Sequence, residues 1–162
     1  MFAPQIHLML NHVPVLGAVF GALVLAAGLR LHNDALMRLA LVTLVVAAFA
    51  AIPVYFSGGS SEDRVEKLAG VHESTIERHE DAARVATIAL GALGLASLVA
   101  LIRSRRRSVP RALASALLVA AVALSGVLAW TAHLGGQIRH SEIRGGATPP
   151  ASAETDEGGE RE

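Results

Sequence analysis

The amino-acid sequence predicts an all-α fold: a four-helix transmembrane bundle with two short inner loops, one longer outer loop and a flexible C-terminal tail. The first observation is composition, since 52% of the 162 residues are hydrophobic and 17% are charged, whereas soluble domains carry about 25% charged residues. The second is that charged residues are absent from four long stretches. The third is that each stretch reaches the roughly 20 apolar residues that a bilayer-spanning helix requires.

The chain length corresponds to a single domain, and its helices are placed by the uncharged stretches. These stretches cover residues 1–29, 39–61, 85–102 and 112–138. We predict transmembrane helices at residues 8–29, 39–57, 81–103 and 112–134. Residues 1–144 then form the membrane domain, and residues 60–69 of the outer loop can form a short surface helix. The polar tail, residues 145–162, has no apolar periodicity and is expected to be disordered.

The loops predict the orientation of the bundle. Arg30 and Arg38 flank one short loop, and the other carries Arg103, Arg105, Arg106, Arg107 and Arg111. Basic residues in short loops are typical of the cytoplasmic face. The long loop is acidic, and the aromatic residues Tyr55, Phe56 and Trp130 lie at its level. We therefore expect a multi-pass protein of a bacterial inner membrane, with both termini and the long loop in the periplasm.

Charge and cysteine content exclude several classes of function. The formal net charge is zero, whereas a nucleic-acid-binding protein needs a basic surface. The chain contains no cysteine, which excludes disulfides, thiolate zinc sites, iron–sulfur clusters and cysteine nucleophiles. Imidazole is therefore the main ligand type for any cofactor or metal ion. Whether the protein is an enzyme remains open at this level.

Six of the seven histidines are predicted to lie toward the outer face of the membrane. They are His7, His12, His72, His79, His133 and His140, whereas His32 lies in an inner loop. Ionisable groups at membrane depth are costly and usually face the interior of a bundle or a cavity. The pattern predicts a cofactor or ion site, although each histidine taken singly could be an ordinary interfacial residue.

Haem b is the cofactor that we expect, in a protein that transfers electrons near the outer face, alone or within a larger redox complex. Haem iron needs one or two axial imidazoles; His12 and His79 are the first candidates, followed by His133 and His7. A slot for the ring would be formed by small residues, namely Gly17, Gly21, Gly126 and Ala129, unless these only tighten helix packing. The propionates would pair with Arg78, Arg84 and Arg139.

Two alternatives use the same residues differently. The first is a non-haem copper, zinc or iron ion, bound by a subset of the six outer histidines. An H-E-x-x-H zinc motif is excluded, because Ile76 stands where the second histidine is required. The second is a non-catalytic accessory subunit whose histidines bind nothing. Expected partners are the lipid bilayer, other membrane redox subunits or a periplasmic electron carrier, and a quinol whose protons would pass to Glu80 or Asp81.

The opening segment resembles a known family. His7-Leu-Met-Leu-Asn-His12-Val-Pro14 is similar to the H-x4-H-x-P opening of a bacterial four-helix membrane domain of unknown function. The similarity continues in residues 50–55 and in His79-Glu80, and it ends at a Leu134-Gly135-Gly136 turn followed by Arg139-His140. It covers the chain to about residue 144. The resemblance implies a compact four-helix unit but no reaction, and His140 stands closer to the two glycines than is usual in that family.

Overall fold

The computed structural model describes residues 3–59, 71 and 73–140, and every regular element in them is a helix. The helices are α1 (Ala3–Leu10), α2 (His12–Arg30), α3 (Asp34–Gly59), α4 (Glu73–Arg103) and α5 (Arg111–Arg139). A single turn residue, Asn11, separates α1 from α2. The predicted all-α class is confirmed.

Four of these helical segments are long and apolar enough to cross a bilayer. They are His7–Arg30, Asp34–Gly59, Glu73–Arg103 and Arg111–Ile138. Each contains one predicted span almost entirely, so the chain is a multi-pass membrane protein surrounded by lipid. Helix α4, which contains the third predicted span, begins at Glu73 rather than near residue 81. Its helical hydrogen bonds continue into the polar sequence that precedes the apolar run. The predicted surface helix at residues 60–69 and the tail at residues 145–162 lie outside the described residues.

The four long helices pack in a ring in which each contacts the next: α2 with α3, α3 with α4, α4 with α5, and α5 with α2. Leucine and alanine dominate the buried core, with Leu25, Leu41, Leu44 and Leu90 fully buried. Gly94 lies so near α3 that an added Cβ would be within van der Waals overlap of Ala48. Small residues therefore allow the backbones to approach closely, as is usual for helix packing in membranes.

Polar contacts join the two short, arginine-rich loops at one end of the bundle. Arg38 pairs with Asp34 one turn earlier and also donates hydrogen bonds to the carbonyls of Ser104 and Arg107. Asp34 in turn accepts a hydrogen bond of 2.7 Å from the main-chain N–H of Val109. These contacts form a clamp between the two helical hairpins, α2–α3 and α4–α5. The clamp closes this end and leaves the histidines at the other.

Candidate cofactor site at the histidine end of the bundle

We call the end of the bundle opposite the clamp the histidine end; it contains His7, Gly58, His79 and Gly135. Helices α1 and α4 begin there, and α3 and α5 end there. The same end carries His12, His133 and His140. His72 lies outside the described residues.

His7 is half-buried against the end of α3. Its Nδ1 lies 3.0 Å from the main-chain oxygen of Val54. A Cβ added at Gly58 would lie 3.2 Å from both Cε1 and Nδ1 of the ring. A carbonyl oxygen only accepts hydrogen bonds, so Nδ1 must carry the proton. In the neutral ring Nε2 then holds a lone pair that is available to a ligand.

His79 has the same arrangement against α5. Its Nδ1 donates to the main-chain oxygen of Thr131 at 3.1 Å. A Cβ added at Gly135 would lie 3.0 Å from Cε1 of the ring and 3.3 Å from Nδ1. Again Nδ1 carries the proton and Nε2 holds the lone pair. We call each set of imidazole, carbonyl and glycine a cradle.

The two cradles occupy corresponding places in the two hairpins. His7, in α1 just before the first hairpin, and His79, near the start of α4, each bond a carbonyl four residues before a glycine near the end of the hairpin's second helix. Both glycines are the first of a Gly-Gly pair, residues 58–59 and 135–136. The repeated Gly-Gly pair is the sequence signal that would have identified the cradles. The turn predicted at Leu134-Gly135-Gly136 is wrong, because these residues are helical and α5 continues to Arg139.

The two cradled histidines are neighbours. His7 lies close enough to His79 for their positive charges to repel each other if both rings were protonated. Among the predicted ligands, His7 is therefore the histidine that lies within electrostatic range of His79.

Asn11 adds an unsatisfied acceptor one helical turn after His7. Its Oδ1 is buried and receives no hydrogen bond from the described residues. Leaving a buried acceptor unpaired costs about 1–3 kcal/mol. A polar group bound near His7 would remove this cost, so the residue favours a ligand at the histidine end.

The other predicted histidine ligands face different surroundings. His12 is exposed and lines a groove between α2 and α3. His133 is exposed, stacks near Trp130 with ring centroids 5.7 Å apart, and accepts a hydrogen bond of 3.0 Å from the amide of Gln137 at Nε2. His140 is exposed just after α5. The described contacts bring neither His12 nor His133 beside His79.

The predicted propionate partners lie on or near the same end. Arg78 is exposed and directly precedes His79. Arg84 is also exposed, lies near the Tyr55 side chain of α3 and is 3.8 Å from Asp81. The side chain of Arg139 is outside the described part of the structure. Arg78 thus adjoins a cradled histidine in the sequence, on the exposed side of α4.

The structure contains no slot for a flat ring at Gly17 and Gly21, two of the residues that were predicted to form one. A Cβ at Gly17 would lie 2.9 Å from that of Ala47, and one at Gly21 would lie 2.8 Å from Leu44. Side chains of α3 therefore fill the space beside both glycines, which supports the alternative prediction that Gly17 and Gly21 tighten helix packing. Gly126 and Ala129 are exposed on the outer face of α5 instead. The bundle interior beside Gly17 and Gly21 therefore has no slot for a flat ring.

Among residues 3–59, 71 and 73–140, no group of three or more His, Asp or Glu side chains has the arrangement of a metal site. In comparisons with models of protein families, with curated proteins and with solved structures, nothing matches this chain. The resemblance noted from the opening motif stays a prediction. The functional assignment therefore depends on the geometry of the histidine end.

Proposed function

We propose that this protein is a membrane-embedded b-type haem protein that takes part in electron transfer, with His7 and His79 as its axial ligands. The observation that carries the proposal is the pair of cradles: two neighbouring imidazoles, each with Nδ1 bonded to a main-chain carbonyl and Nε2 left as the ligating atom. Such a bond orients a ligating ring and raises its basicity.

The number of available ligands favours haem over a bare ion. A zinc site takes three or four protein ligands, whereas haem iron needs only one or two, since the porphyrin supplies the others. Two cradled imidazoles match the second requirement, and the described residues contain no larger set of candidate metal ligands. The group itself would supply one-electron redox chemistry when bound.

The remaining residues of the end have supporting roles in this proposal. Arg78 offers an exposed guanidinium to a propionate. By the positive-inside rule the arginine-rich loops would lie in the cytoplasm with the clamp, and the histidine end would then face the periplasm of a bacterial inner membrane. Its electron partners would be other membrane redox subunits or a periplasmic carrier.

The proposal is tested by absorption spectra of the purified, detergent-solubilised protein expressed with ample haem. Oxidised and dithionite-reduced samples should show a Soret band and the α and β bands of a six-coordinate b-type haem. His7→Ala and His79→Ala should each lose the reduced six-coordinate spectrum. His32→Ala, at the clamp end, and His12→Ala are controls that should retain it.

Other outcomes assign other functions. Absence of a Soret band would refute the haem proposal; stoichiometric copper, zinc or iron in the same sample would then support a non-haem metal site. Protein without haem or metal that co-purifies with a larger complex would support an accessory subunit. A normal spectrum in both His7→Ala and His79→Ala, with its loss in His12→Ala, would restore the ligand that we first predicted.

A further inference from the structure

The clamp end of the bundle, which consists of residues 30–38 and 103–111, has a strongly unbalanced charge. These two segments contain seven arginines and a single acidic residue, Asp34. The carboxylate of Asp34 is already committed, since it pairs with Arg38 and accepts a hydrogen bond from the main-chain N–H of Val109. The other six arginines are exposed, and none of them forms an ion pair within the part of the chain that the structure describes. They are Arg30, Arg103, Arg105, Arg106, Arg107 and Arg111.

Arginines from both hairpins meet where α2 ends beside the start of α5. A terminal nitrogen of Arg111, the first residue of α5, donates a hydrogen bond of 3.3 Å to the main-chain oxygen of Leu29. Arg30 is the next residue along the chain and ends α2. A guanidinium has five N–H donors, so Arg111 keeps most of its donors for a ligand. The fold therefore brings cations of two hairpins to one edge of the bundle.

A cavity of about 250 Å³ opens beside Arg111. Its lining combines apolar side chains with polar residues of both loops, namely Leu29, His32, Asp34, Met37, Ser108 and Val109. The carboxylate of Asp34 is neutralised by Arg38, so it does not repel an anion as a free carboxylate would. A cavity with an apolar lining and a cation at its mouth suits an amphiphilic anion.

Exposed aliphatic side chains adjoin the same arginines. Leu31, Ile102 and Leu113 are 65%, 56% and 37% exposed, and each lies within two residues of an exposed arginine. Three of the arginines, residues 30, 103 and 111, are terminal residues of the candidate membrane spans, so their side chains reach the level of the lipid head groups. A soluble anion would leave the aliphatic side chains uncovered, whereas the acyl chains of a lipid cover them.

We infer that the clamp end binds an anionic phospholipid, whose phosphate is held by Arg30 and Arg111 beside the cavity. Arginine binds phosphate through paired N–H donors, and basic pockets between membrane helices bind anionic head groups. A zwitterionic lipid also carries an ammonium group, which six arginines without acidic partners would repel. The charge balance therefore selects the anionic class of lipid. This site lies at the end of the bundle opposite the proposed haem centre and does not depend on it.

Native mass spectrometry of the full-length protein in detergent micelles tests the inference, with phosphatidylglycerol and phosphatidylcholine of identical acyl chains as probes. Wild type should bind the first phosphatidylglycerol about tenfold more tightly than phosphatidylcholine, or better. Arg30→Gln/Arg111→Gln should weaken phosphatidylglycerol binding about 25-fold, since each arginine near a charged lipid contributes roughly fivefold. Arg30→Lys/Arg111→Lys should keep most of the preference. The control Arg78→Gln/Arg84→Gln removes the same charge from exposed residues of α4 and should bind like wild type.

Equal affinities of wild type for the two lipids would overturn the inference, because the arginines would then only orient the chain in the membrane. An equal loss of affinity in the two glutamine pairs would also overturn it, since net charge rather than this site would explain binding. Displacement of the lipid by an equal concentration of glycerol phosphate would assign the site to a soluble phosphate instead. Phosphatidylglycerol binding by wild type should weaken as salt rises, and an affinity that does not change with salt would contradict recognition by charge.

Discussion

Replacing Gly135 by alanine should move the His79 imidazole out of its cradle while leaving the bundle folded. The added Cβ would lie 3.0 Å from Cε1 of the ring, whereas carbon atoms pack best at about 3.5–4.0 Å. The ring must therefore retreat from α5 by about 0.5 Å. Because the carbonyl of Thr131 belongs to the same helix, this retreat stretches the 3.1 Å hydrogen bond to about 3.6 Å, beyond hydrogen-bond range.

The expected change in stability is small. The lost hydrogen bond costs about 1 kcal/mol, and alanine in place of glycine within a helix returns about the same amount. The effect on ligand binding should be much larger, because changing the partner that orients a ligating histidine typically weakens metal binding about 10–100-fold. The variant therefore separates the role of the cradle in binding from its role in folding.

Two measurements follow this change. Haem titration into apo-protein gives the affinity, and the rate of modification by diethylpyrocarbonate reports directly how free the His79 ring is. Gly126→Ala is the control, because it lies on the same helix and an added Cβ would meet no atom within 4 Å. Gly58→Ala should repeat the effect at His7 more weakly, since its contact distance is 3.2 Å.

The reasoning about the cradle is refuted if Gly135→Ala matches Gly126→Ala in both measurements. A faster modification of His79 in Gly135→Ala without any haem binding in wild type would instead confirm the cradle and reject haem. Loss of the folded state in Gly135→Ala would contradict the small stability change worked out above.

Three further changes test the packing, the clamp and the orientation. Gly94→Ala should lower the free energy of unfolding by about 1–3 kcal/mol through overpacking, as measured by denaturant titration in micelles. Gly91→Ala is the control and should not lower it, since a Cβ there meets no atom within 4 Å. Equal stabilities of the two variants would contradict the close approach of α3 and α4. Arg38→Gln should cost about 1–3 kcal/mol by leaving loop carbonyls of the clamp unpaired without altering the haem spectrum, and a change in that spectrum would show that the two ends are coupled. Because the chain contains no cysteine, Glu77→Cys should react with an impermeant maleimide in intact cells and Arg106→Cys should not; the reverse pattern would invert the proposed topology.

The positions of the helices were predictable because they depend on local sequence. A run of about 20 apolar residues must satisfy its backbone hydrogen bonds internally when it lies in lipid, so it forms a helix. The span predicted at residues 112–134 accordingly lies within the observed Arg111–Arg139. The extra turns at its end and at the start of α4 were missed, since polar residues outside the membrane do not distinguish helix from loop.

Which histidine lies near His79 was not predictable in the same way. His12 looked the better partner for His79 because it lies deeper in the apolar run. The break at Asn11 and the packing of α1 on α3 instead bring His7 to the end of α3. Which of two histidines five residues apart faces inward depends on helix phase, and that phase is set by the neighbouring helix.

The sequence by itself determined a four-helix membrane protein with a basic end and a histidine end, because hydropathy and charge act residue by residue along the chain. Only the tertiary structure decided that α3 fills the space beside Gly17 and Gly21, that His7 and His79 lie in matching cradles, and that His12 faces a groove. Each of these depends on atoms from a second helix. The distances between helices, rather than the identities of the residues, turn six scattered histidines into one candidate pair.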